Sequence, residues 1–234
     1  MRSVTVGEAD PEACALLGEV ADAVPIAAWC VVGEVMATIH AAERGVALPP
    51  RRPAESLEVV VDTRLLPQGS AMVEHALAGR GLRGVRSKGH RHRYEKDGAR
   101  LDVVMLTAPA HRHGRRDDEP LASYEQAILR AGPVNLRFGT GELTVRRPAL
   151  LGALLLEAHL ASSSEDEGDS VAARRGLAFL LTLVVEPMAL RAQMRPDESR
   201  QLRRQSELLD PEHPAWLAMA GADAGRRSLR LLAS

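Results

Sequence analysis

Hydrophobic and polar positions follow two periods along this chain, and each change of period marks a new element. Asp10-Pro11-Glu12 sets an N-cap, a first-turn proline and a first-turn acid, predicting a helix that runs to about Val24 and stops at Pro25. Ala27–Val32 is a short apolar run that fits a buried strand. Gly33 follows, and Val32, Val35, Met36 and Ile39 then recur at helical spacing as far as Arg44. Two prolines exclude regular structure in the segment from Val46 to Arg52. Ser56–Arg64 returns to a period of two, with Ser56, Glu58, Val60 and Asp62 on one face and Leu57, Val59 and Val61 on the other. Ser70 caps a helix closed by Gly79 and Gly81. His90–Glu95 and Arg100–Leu106 then form a hairpin about Lys96-Asp97-Gly98, with Asp102 on the face of Arg100 and Val104.

Beyond this point the pattern becomes helical. His111–Pro120 is charged and supplies no core positions, so it reads as a seam. Val134–Phe138 and Glu142–Arg146 flank Gly139-Thr140-Gly141 as a second hairpin. Helices are predicted from Pro148 to about Leu160, over Val171–Val185, from Pro187, from Pro196 to near Asp210-Pro211, and from Pro214 to about Leu232; the acidic run at 162–170 is read as a loop. The expected class is α+β, a mixed sheet with flanking helices followed by a helical bundle. The expected division is an α/β domain over 1–112, a connecting loop and hairpin over 113–147, and a helical domain over 148–234.

Composition narrows this only a little. Aromatics are 3% of the chain, so Leu, Val, Ala and Met must fill the interior, which suits helices. A formal net charge of -1 supplies no overall field toward nucleic acid or membrane. Cys14 and Cys30 lie in apolar stretches outside any CxxC pair and are read as buried, reduced thiols of a cytoplasmic protein. The N-terminus lacks the apolar run of a signal peptide, and the runs at Leu150–Leu156 and Leu177–Val185 are too short to span a bilayer, so no membrane role is expected. G-x-S-x-G, P-loop and dinucleotide fingerprints are absent.

The first half has the parts that nucleotidyl transfer needs. Phosphates approach backbone N–H groups only where a strand-to-helix turn is small, as at Gly33. Divalent metals need carboxylates at alternate positions of a strand, with a third acid from a neighbouring strand. The strand after the Gly33 helix has alternate polar residues, and Asp102 lies on a later strand.

On the order and spacing of Val31-Val32-Gly33, His40-Ala41-Ala42-Glu43, Leu57–Arg64, His92-Arg93-Tyr94, Leu101–Leu106, Arg146–Gly152, Leu177–Val184 and Asp210–Trp216, the chain resembles the nucleotidyltransferase superfamily, in particular its AbiEii-like branch from bacterial toxin–antitoxin and phage-defence systems. The resemblance implies a nucleotidyltransferase-like sheet with a phosphate-binding turn at Gly33 and Glu34. It also implies a catalytic set at Ser56, Glu58 and Asp102, with Glu58 and Asp102 as ligands of Mg²⁺ beside an NTP. If active, such a protein would transfer NMP from NTP to a tRNA or protein hydroxyl.

Departures from the family pattern point toward impaired catalysis. The turn reads Gly33-Glu34 where the family has Gly-Gly or Gly-Ser, and a Glu there aims negative charge toward phosphate. Ser56 and Glu58 stand in place of Asp-x-Asp; Ser56 is neutral, and the extra methylene of Glu58 displaces its carboxylate by about 1.5 Å. Glu55 and Asp62 are alternative acids, the second four residues along the strand from Glu58. In the helical half the family's basic positions fall on Glu157 and Gly176, with Arg174 and Arg175 beside the latter. The expectation is therefore a protein of this type with catalysis impaired or lost and Mg²⁺ weakly held. The alternative is a non-catalytic regulatory or partner-binding protein using the inter-domain cleft.

Two further features bear on chemistry. His90 with His92, and His111 with His113, are spaced to share a strand face but have no third ligand at a familiar spacing. The stretch from Arg83 to Arg116 is rich in Arg, Lys and His and contains Tyr94, which suits contact with an RNA backbone such as tRNA.

Overall fold

Alternation of β-branched and polar residues builds a mixed five-stranded sheet. In a computed structural model of the chain, residues 3–5, 11–49, 56–107, 119–138, 141–164 and 166–234 are described. The strands of this sheet are β2 (Trp29–Val32), β3 (Leu57–Asp62), β4 (Arg83–Lys88), β5 (Arg91–Lys96) and β6 (Ala99–Leu106). They lie in the order β2-β3-β6-β5-β4, with β3 parallel to β6 and the other neighbours antiparallel. A smaller sheet joins β1 (Ser3–Thr5), β7 (Ala131–Phe138) and β8 (Gly141–Pro148), with β1 parallel to β7. The helices are α1 (Pro11–Ala23), α2 (Gly33–Arg44), α3 (Ser70–Gly79), α4 (Glu119–Leu129), α5 (Leu150–Ser163), α6 (Glu167–Thr182), α7 (Pro187–Arg191), α8 (Pro196–Arg203) and α9 (Ala222–Ala233). The protein is thus α+β, with mixed sheets and flanking helices. Among the described residues no helix is long and apolar enough to cross a membrane.

The two faces of the large sheet are buried by different helices. Trp29, Val31, Val59, Val61, Val103 and Met105 share one core with Leu16, Leu17 and Val20 of α1 and Val73 and Leu77 of α3. Cys30, Val32, Val60, Val104 and Leu106, on the opposite face, pack against Tyr124, Ala127 and Ile128 of α4 and Leu156 of α5. A third core gathers α5, α6, α8 and α9 and takes in Met36, Ala37 and Ala41 from α2. Full burial of each such Leu or Val contributes about 1.5–3 kcal/mol.

Polar ties cross between these layers. Arg146 of β8 donates to the carbonyls of Ala27, Ile128 and Ala131, joining the start of the large sheet to the α4–β7 corner. Arg147 forks onto Glu43 of α2 through Nη2–Oε1 at 2.6 Å and Nε–Oε2 at 3.1 Å. Beside it, His40 donates Nε2–H to the Pro148 carbonyl at 3.0 Å. Burial, with the charges of Arg147 and Arg44, pushes His40 down to about 3, so its ring is neutral.

Several elements differ from the sequence pattern. β1, β4 and α4 are additional to those predicted. β4 runs along the exposed sheet edge and carries Arg83 and Arg86, and such an edge shows no apolar alternation. Ser70 sits inside the first turn of α3, and the N-cap is Gly69 at φ +58°, with no side-chain cap bond. α6 begins within the acidic run, where the Asp166 side chain accepts from the Asp169 N–H at 3.2 Å. Pro148 closes β8 instead of opening α5. Pro214 opens only a 3-10 turn ending at Trp216, and α9 starts afresh at Ala222 after positive φ at Ala218 and Gly221. The expectations at Asp10, over 50–55 with Glu55, at His111 and His113, and at the 139–140 turn lie outside the described residues.

Candidate functional site

Strand register sets the site. Val32 at the end of β2 is paired with Glu58, Glu58 with Asp102, and Asp102 with Arg93 of β5. The next row, on the same face, is Cys30, Val60, Val104 and Arg91. Side chains two apart on a strand share a face, so Glu58, Asp102, Arg91 and Arg93 all project toward the layer of α4 and α5. Parallel neighbours lie about 4.8 Å apart, which brings the two carboxylates side by side.

Both oxygens of Asp102 are engaged. Arg93 donates Nε–H to Oδ1 at 2.7 Å and Nη2–H to Oδ2 at 2.8 Å, a bidentate fork. Ser56 donates its hydroxyl to Oδ2 at 3.0 Å. Asp102 is 2% exposed, and burial alone opposes its ionisation. The hydrogen bonds from Arg93 and Ser56 and the charges of Arg93 and Arg91 outweigh that burial and hold the carboxyl below its ordinary range.

Glu58 faces the opposite balance. Its carboxylate is 3.3 Å from Nη2 of Arg91, but burial, with the charges of Asp102 and Asp169, raises its affinity for a proton. Arg91 also donates to the Tyr124 hydroxyl at 3.2 Å. Tyr124 of α4 is buried against the sheet, which pushes its own hydroxyl up to about 12 and leaves it neutral.

The turn at Gly33 closes against the same pair. Gly33 has φ +63°, and a Cβ there would run into Oε2 of Glu58. Glu34 follows in the first turn of α2, with an acid at the positive end of the helix. In the helical layer, buried Glu157 of α5 packs on Gly176 of α6, where a Cβ would lie 2.9 Å from Oε2. Glu157 adds negative charge near Tyr124, and Asp169 adds it near Glu58.

The structure therefore brings Gly33, Ser56, Glu58 and Asp102 into one cluster. Asp62 stands apart: it is about 13 Å along β3 from Glu58, where its carboxylate is forked by Arg64 at 2.7 Å. His92 pairs with Val103 and so belongs to the other sheet face. Among the described residues no group of three His, Cys, Asp or Glu is placed to hold a metal. Arg91 and Arg93, part of the basic stretch, turn into the cluster, while Arg83 and Arg86 remain exposed on β4.

Mg²⁺ requires near-octahedral oxygen at about 2.0–2.1 Å. The donors present do not fit it: Asp102 accepts three hydrogen bonds, and two guanidinium charges already balance the two carboxylates.

The pattern reading missed Arg91, Arg93 and Tyr124. A two-residue turn at Asp97-Gly98 pairs Lys96 with Ala99, and counting back places Arg93 opposite Asp102, as observed. Tyr124 was marked by the stripe Leu121, Tyr124, Ala127, Ile128, whose helical spacing is that of α4. No protein-family model and no curated protein matches this chain.

Proposed function

We propose that this protein is nucleotidyltransferase-like, of the AbiEii type, has lost transfer chemistry, and acts by binding in the cleft between the sheet and the helical layer. Three features support the reading together. A strand, a left-handed glycine and a helix stand in sequence at Trp29–Arg44. Ser56 and Glu58 emerge from the adjoining strand. Asp102 lies on the next, parallel strand and faces Glu58. The observation that carries the loss of transfer is the Arg93 fork, which takes up both oxygens of the one acid that the family pattern keeps.

A second reading, a non-catalytic partner protein with no nucleotide in the cleft, is favoured by the way the ion pairs neutralise one another internally. On either reading the protein is proposed to be cytoplasmic. The test is incubation with Mg²⁺, each labelled NTP and bulk tRNA, beside Asp102→Ala. The expected result is no incorporation, into tRNA or protein, above that of the variant. Incorporation that disappears in Asp102→Ala overturns the loss of transfer. Nucleotide binding without turnover supports the first reading, and its absence supports the second.

A further inference from the structure

We propose that Arg91 and Arg93 are the resident cations of this acidic pair: their guanidinium groups supply the positive charge beside Glu58 and Asp102 that a divalent ion would otherwise supply, and removing them opens a divalent-cation site. The inference rests on the nucleotidyltransferase-like reading for its biological meaning, but its geometry stands on the register alone. Glu58 and Asp102 are cross-strand neighbours on one face, the spacing two carboxylates need to share an ion. Arg93 lies opposite Asp102 on β5 and Arg91 two residues earlier, so both reach the pair from the same strand. Arg93 grips Asp102 at 2.7 and 2.8 Å, and Arg91 stands 3.3 Å from Glu58.

Charge accounting gives the direction. Each of the two carboxylates already has a guanidinium counter-charge beside it, so an incoming divalent ion must compete with a resident cation at both. Entry would also require breaking a bidentate, charge-assisted pair whose acid is almost wholly buried. Without the guanidinium groups the two neighbouring acids lose their counter-charges, so a divalent ion can bind by displacing the proton they would otherwise share, with Asp169 adding to the negative field at Glu58 and the Ser56 hydroxyl offering a further oxygen. Tyr124 fixes the arrangement from above by accepting from Arg91. On the nucleotidyltransferase-like reading, metal is thus opposed by the resident arginines as well as by the neutral Ser56.

The experiment is a Mn²⁺ titration followed by electron paramagnetic resonance and by thermal melting. It uses wild type, Asp102→Asn, Arg91→Met/Arg93→Met, and the same pair with Asp102→Asn. Wild type is expected to show no Asp102-dependent Mn²⁺ binding at millimolar concentration. The double variant is expected to bind one Mn²⁺ at least tenfold more tightly, with a melting midpoint that rises as Mn²⁺ is added, and Asp102→Asn removes both effects. If the double variant is unfolded alone, Mn²⁺ is expected to restore its fold by linkage. Wild-type binding that Asp102→Asn abolishes overturns the proposal. So does a double variant that binds no more tightly than wild type, or one that Mn²⁺ leaves unfolded. These outcomes are separate from the functional test, because wild type can fail to incorporate nucleotide whether or not Mn²⁺ binds.

Discussion

Asp102 is nearly inaccessible to solvent yet ionised, so its cost depends on what meets its charge. Arg93→Ala leaves a buried carboxylate short of its main partner and is expected to lower stability by about 3 kcal/mol in urea unfolding. Ser56→Ala removes one hydrogen bond to the same oxygen and is expected to cost about 1 kcal/mol. Arg93→Lys should fall between them, because an ammonium keeps the charge but cannot make the fork. The two acids respond to pH in opposite senses. Asp102 is more acidic in the folded protein than in the unfolded chain, so its contribution is complete above about pH 4 and is lost as pH falls toward its folded value. Glu58 is less acidic when folded, so its favourable contribution is complete at low pH and is lost as pH rises through its folded value. Glu58→Gln is therefore expected to raise the melting midpoint at pH 7, with the gain shrinking toward pH 4.

At the scale of elements, the turn into α2 and the docking of α9 both depend on a missing side chain. Gly33→Ala forces a Cβ into a left-handed residue, at about 1–2 kcal/mol, and drives it into the Glu58 carboxylate. Adding Glu58→Ala to that variant should recover the contact part of the loss and leave the backbone part, a split that paired unfolding curves will read. Gly225→Ala on α9 puts a methyl 2.8 Å from the Trp216 ring and is expected to cost about 1–3 kcal/mol by overpacking. How legible these elements are in the sequence follows from what each one buries. The faces of β3 could be read from period, because Glu58 and Asp62 alternate with Leu57, Val59 and Val61, but the meeting of Glu58 with Asp102 comes from the β3–β6 register, which period does not encode. β4 is exposed and basic, and its place comes from pairing with β5, which no single-strand pattern encodes. Arg93 was legible only by counting hairpin register from Asp97-Gly98, and the turn at Pro214 looked helical because Ala218 and Gly221 break the chain through backbone conformation, not polarity.

Across the molecule, α2 joins the two halves. Its Ile39 faces the sheet core, while Met36, Ala37 and Ala41 face the helical core. Glu43, 3% exposed at its side chain, ties the same helix to Arg147 of β8. Glu43→Gln leaves the half-buried Arg147 guanidinium without its counter-charge and is expected to cost about 1–3 kcal/mol. His40, in the same joint, folds as a neutral ring near 3 but titrates near 6.5 when unfolded. Stability should therefore fall as pH drops from about 6.5 toward 3, and His40→Asn should flatten that slope. The acid–arginine cluster beneath α4 and α5 depends on Arg93 for its charge. The most direct measurement of that charge is a carbon-13 NMR titration of the Asp102 side-chain carboxyl, with and without Mg²⁺. The account predicts a midpoint below the ordinary aspartate value of about 3.9 that Mg²⁺ leaves unchanged. A midpoint at or above that value, or a resonance that Mg²⁺ shifts at neutral pH, would contradict it.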